Sequence, residues 1–168
     1  NPEVFDYVVV GIFRTTEAGR YISANHRLAE LYGSESPARL IEAIGDIEGQ
    51  LYVEPGQRDL FLTLIQQQGR IEQFESEIFR KDTSRIWISE TARIVRDEAG
   101  EVLFYEGTVQ DIAEQKGAEL ELRRSEILFH SLVENLPQNI FRKDSAGRFT
   151  FANTRFCEEL VKPRREII

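Results

Sequence analysis

IEQFESEIFRKDTSRIWISETARIVRDEAGEVLFYEGTVQDI, residues 71–112, is the stretch from which the fold follows. Phe74, Ser76 and Ile78 alternate with Glu75, Glu77 and Phe79, and Ile86, Ile88 and Ile94 alternate with Trp87, Ser89 and Val95. A third run, Val102 to Val109, is rich in β-branched and aromatic residues. Period-two alternation of this kind marks strands with one face available to bury. Lys81-Asp82-Thr83-Ser84 and Arg96-Asp97-Glu98-Ala99-Gly100 supply the turns, with Gly100 free to take positive φ. The expectation is an antiparallel three-strand meander.

Upstream, Gly11-Ile12-Phe13-Arg14-Thr15 and Tyr21-Ile22-Ser23-Ala24 read as two further strands joined at Gly19. Asn25 is placed to cap a helix over HRLAELYG, Ser36-Pro37 to start a second through Ile44, and Pro55-Gly56 to open a third that Gly69 closes. Residues 1–10 suggest a short helical lead-in turning into a strand. The fold class expected is α+β: a five-stranded antiparallel sheet with short helices packed on one face. Residues 113–136 are dense in helix formers, with Ala118, Leu122, Ser125, Phe129, Leu132 and Leu136 at coiled-coil spacing. Gly117 weakens this connector helix near its start.

Residues 139–158 (NIFRKDSAGRFTFANTRFCE) repeat residues 11–30 (GIFRTTEAGRYISANHRLAE) without a gap. Ten identities, from Ile12, Phe13 and Arg14 to Asn25, Arg27 and Glu30, recur at a shift of 128. That period is the size of a domain plus a linker. The chain is therefore expected to carry a domain over 1–112, a helical linker over 113–136, and the opening part of a second copy over 137–168.

Bulk properties narrow the function. Twenty-one Lys and Arg against 29 Asp and Glu give a net charge of -8, which argues against nucleic-acid binding. No apolar run approaches the length of roughly 20 residues that spans a bilayer, so no membrane contact by these residues is expected. The start at Asn1 suggests an excised piece, and no signal peptide is evident. One cysteine, Cys157, rules out an internal disulfide. A cytoplasmic location is the default expectation.

Taken together, GIFRTTEAGRYISAN, PGQRDLFLTLIQQQG, FRKDTSRIWISETARIVRDEAGEVLFYEGTVQDI and SEILFHSLVENLP resemble the PAS family along the whole chain. Gly107 to Ile112 resemble the family's closing motif. Thr83 stands where a glycine is commoner and Ala113 where a threonine is usual. The resemblance implies a sensory or interaction module of a multidomain bacterial-type signalling protein. Its output would pass Asp111 and Ile112 into the connector helix, toward an effector such as a histidine kinase or a diguanylate cyclase. Association as a homodimer, through the outer sheet face around Trp87 or through the connector, is the partner expected.

Cofactor chemistry finds little support. Light-sensing flavin relatives need a reactive cysteine, and residues 1–112 contain none. Haem needs an axial ligand, and His26, the domain's single histidine, reads as a first-turn surface residue. His130 lies in the connector and reads as a surface residue. No phosphate-cradling loop, metal-ligand cluster or nucleophile with a base is visible.

Glu90 breaks the pattern. It shares the inward face with Ile88, Ala92 and Ile94, where a carboxylate needs a partner or a raised pKa. It is read either as a structural pair with Arg14 or Arg27, or as the polar handle of a ligand pocket with Ile78, Ile88, Tyr105, Val109, Leu28 and Phe61. A general base in a small-molecule enzyme is the third alternative. Glu75 and Glu77 read as solvated.

Overall fold

The computed structural model describes residues 9–168. The lead-in expected over residues 1–10 therefore lies largely outside the described residues.

Five strands form one antiparallel sheet: β1 (Gly11–Thr15), β2 (Tyr21–Ala24), β3 (Arg70–Phe79), β4 (Arg85–Arg96) and β5 (Val102–Asp111), in the spatial order β2-β1-β5-β4-β3. The meander is as expected, with β4 central between β3 and β5. Between the second and third strands come four helices: α1 (His26–Leu31), α2 (Pro37–Ala43), α3 (Ile47–Gln50) and α4 (Gln57–Gln68). The single-turn α3, capped by Asp46, has too short a period to be seen in the sequence.

Each helix begins and ends where local chemistry dictates. Ser36 accepts from the Arg39 amide, and Gly56 and Gly69 flank α4 with φ of 82° and 74°, conformations that favour glycine. Asn25 does more than cap α1. Its Oδ1 accepts from the amides of Ile12 (2.8 Å) and Leu28 (3.0 Å), while its Nδ2 donates to the Val10 carbonyl (3.1 Å). One buried side chain thus ties β1 to α1. Gly11 allows their close approach, since a Cβ there would lie 2.7 Å from Leu28 Cδ1.

The core sits between the helices and the inner sheet face. Phe13, Leu28, Tyr32, Leu40, Phe61, Ile65, Ile78, Ile88, Tyr105 and Val109 are all buried in one cluster. Leu60, Phe61, Leu64 and Ile65 fall at helical spacing on α4; Phe61 and Ile65 are buried, Leu64 is half-buried and Leu60 is exposed. Arg58 on the same helix is buried.

A fifth helix, α5 (Ala113–Asn135), follows Ile112 directly. The chain divides into two compact units between Lys116 and Gly117. In the second unit, β6 (Phe141–Lys143) and β7 (Phe149–Ala152) form a hairpin followed by α6 (Thr154–Glu159). The repeat is structural as well as sequential. Asn153 Oδ1 accepts from the amides of Ile140 and Phe156, and its Nδ2 donates to Gln138, the same three connections that Asn25 makes.

Candidate functional site

The site is built around the central strand. Along β4, Ile86, Ile88, Glu90 and Ala92 face the helices, and Glu90 is 4% exposed. It lies opposite Phe74 on β3 and Val109 on β5. Neither Arg14 nor Arg27 reaches it. Arg14 points to the other face and pairs with Glu106 at 3.1 Å, because inward and outward positions alternate and residue 14 is an outward one. Arg27 pairs with Glu30 on its own helix surface.

The partner is Tyr52, whose hydroxyl donates to Glu90 Oε2 at 2.9 Å. Tyr52 is held in register by a β-bridge to Ile78, reinforced by Val53 N–H donating to the Glu77 carbonyl. The second contributor is Arg58, in the first turn of α4 and 5% exposed. Its guanidinium carbon lies 5.1 Å from the Phe61 ring centroid and 6.0 Å from that of Tyr105. Arg58 Nε and Nη2 are buried without a hydrogen-bond partner, and so is the Tyr105 hydroxyl. Tyr21 and Tyr32, both buried, complete the cluster.

Electrostatics follow from burial. Removal from water raises the Glu90 carboxyl to about 7, against the lowering effects of the Tyr52 hydrogen bond and the Arg58 charge. Burial and the nearby Glu90 charge push the Tyr21 and Tyr52 hydroxyls upward, so both remain protonated donors. Glu90 is thereby poised to exchange a proton near neutrality. Tyr52 and Arg58 were not singled out in the sequence. The signal available was Leu51-Tyr52-Val53, an apolar run carrying one hydroxyl beside a glycine-led helix start.

The other proposed pocket residues, Ile78, Ile88, Tyr105, Val109, Leu28 and Phe61, are all fully buried in the same core. His26 and His130 are both exposed. Among the described residues there is no group of three or more His, Cys, Asp or Glu side chains suited to a metal ion, and no helix long and apolar enough to cross a membrane.

The strands around Glu90 lead straight to α5. The Ile112 amide donates to the Trp87 carbonyl at 3.0 Å, and Asp111 Oδ1 accepts from the Ala113 amide at 2.8 Å. Asp111 thereby closes the strand-to-helix corner. Arg80 joins this corner to α1, donating to the Leu31 carbonyl at 3.0 Å and lying 3.8 Å from Asp111. Glu75 is not simply solvated. Lys116 Nζ meets its Oε2 at 2.5 Å and lies 5.3 Å from the Trp87 ring centroid.

On the face away from the helices is an open cavity of about 460 Å³, lined by Ile12, Arg14, Thr91, Arg93, Glu106 and Thr108 among others. Glu106 is clasped there by Arg93 and Arg14, which hold its carboxyl below the usual range.

Comparison with known proteins places this geometry. The family model described as PAS domain matches residues 9–114, and a second PAS domain model matches residues 127–161. No curated protein matches the sequence. Among solved structures, the PAS domain of a Colwellia psychrerythraea protein is similar at 24% identity and a TM-score of 0.57, covering 67% of this chain and 94% of that one. A sensory box histidine kinase/response regulator from Burkholderia thailandensis is 18% identical with a TM-score of 0.55, covering 73% and 92%. A domain of a sensory box sensor histidine kinase/response regulator from Geobacter sulfurreducens is 19% identical with a TM-score of 0.51, covering 66% and 90%. With a family model spanning well over half of its length, the chain belongs to the PAS domain family, as one full domain followed by part of a second.

Proposed function

We propose that residues 9–116 form a non-catalytic sensory module whose input is the buried polar cluster around Glu90 and whose output is the start of α5. The observation that carries this reading is the set of unused donors in the core. A buried arginine with two free N–H positions, beside a buried tyrosine hydroxyl, is expensive unless something accepts from it. A small ligand presenting acceptor oxygens to Arg58 and Tyr105 would satisfy both, with Glu90 and Tyr52 as the opposite pole. The output side is supported by position: Val109, facing Glu90, is two residues from Asp111. The receiving domain in the parent protein would be a signalling effector, of which a histidine kinase or a diguanylate cyclase are the two candidates.

Native mass spectrometry of the full chain, compared with the same sample denatured, tests the ligand. The expected result is an excess mass that is lost on denaturation and absent in Arg58→Gln. Bare polypeptide mass would instead favour a second reading, a ligand-free dimerisation scaffold. That reading is supported by Leu122, Phe129 and Leu132, all more than half exposed along one seam of α5. Dimeric bare mass that dissociates in Phe129→Ser would establish it.

A further inference from the structure

We propose that the strand-to-helix junction of this module is proton-operated: uptake of a proton by Glu90 in the core is read out at Trp87 and the first turn of α5. This rests on the input and output assigned above and names one input, the proton.

The geometry has three parts. The first is isolation of the carboxylate. The side chains brought against Glu90 are Tyr52 from the segment after α3, Tyr21 from β2, Tyr32 from the end of α1, Arg58 from α4, Phe74 from β3 and Val109 from β5. Among the described residues brought against Glu90, Arg58 is the single charged side chain. In the ionised state, Glu90 attracts Arg58 across the core and accepts the Tyr52 hydroxyl. When protonated, Glu90 becomes a donor and the attraction that draws α4 toward β4 is lost.

The second part is linkage along β4. Glu90 is three residues from Trp87, whose carbonyl takes the Ile112 amide and whose ring faces Lys116. The third is a latch. Glu75 and Lys116 hold the end of the first helical turn against β3 and β4, and Gly117, a weak helix former, follows at once. Any change in strand twist at Glu90 is therefore felt where α5 is fastened.

Trp87 is the chain's single tryptophan, so its fluorescence reports this corner alone. The experiment is a titration of tryptophan emission from the full chain between pH 5.5 and 8.5, in wild type, Glu90→Gln and Tyr52→Phe. The proposal expects one transition centred near neutrality in wild type. It expects none in Glu90→Gln, and a midpoint moved upward in Tyr52→Phe, where the ionised carboxylate loses its hydroxyl donor. A transition that persists in Glu90→Gln does not come from the core carboxylate and overturns the proposal. A flat wild-type profile, or an unmoved midpoint in Tyr52→Phe, overturns it equally. A silent tryptophan together with a native-mass adduct would remove the proton as input and leave the sensory reading intact.

Discussion

Glu90 in the core makes stability depend on pH in a defined direction. An unfolded glutamate releases its proton near 4.5, the folded one near 7. Below 4.5 both states are protonated. Between the two values the folded chain holds a proton that the unfolded chain has lost, so stability falls as pH rises through that window and is level above it. Replacing Glu90 with Gln removes this loss while keeping an acceptor for Tyr52. Thermal melts should show Glu90→Gln gaining on wild type from pH 4.5 to 7, with a plateau on the order of 3 kcal/mol. A constant difference across pH would contradict it. Asn25 is the other residue with large leverage. Asn25→Ala removes three hydrogen bonds made by a buried side chain and should cost about 3 kcal/mol in a denaturant titration. The capping role of Asn25 was legible because a side-chain acceptor stood directly before an amphipathic run. Its bond back to Val10 was not, since that depends on how closely β1 approaches α1.

At the scale of elements, the β3–β4 turn carries strain at Thr83. Thr83 occupies the place where glycine is commoner, and it sits at φ 67°, a left-handed conformation that disfavours a β-branched side chain. Thr83→Gly should stabilise the domain by about 1 kcal/mol, observable as a raised Tm with the same denaturant slope. An unchanged or lowered Tm would mean that the Asp82–Ser84 hydrogen bonds already offset the strain. The five strands and three longer helices were legible because their periods run over several residues. The partner of Glu90 was not. Alternation showed that Glu90 faces inward, but Tyr52 and Arg58 come from segments 38 and 32 residues away, and tertiary packing alone brings them together. Arg58 in particular is a charged residue at the start of α4, yet it is buried while the apolar Leu60 on the same helix is exposed.

At the scale of the whole molecule, the 128-residue repeat reproduces a hydrogen-bonding device and not only a string of letters, with Asn153 standing for Asn25. The first unit ends at Lys116, one residue before Gly117, so the latch to Glu75 belongs to the sensing unit and the remaining helix to the next. Signal transfer then reduces to whether the state of Glu90 reaches residues 111–116. Hydrogen exchange followed by mass spectrometry on the full chain, wild type against Glu90→Gln at pH 8, reads this without any ligand. Removing the buried charge should slow exchange at residues 111–116 by more than at residues 26–31, which lie in the same unit but off the β4–β5 route. Exchange at 111–116 that is unchanged, or that shifts only as much as at 26–31, would show that the core carboxylate and the output helix are not coupled.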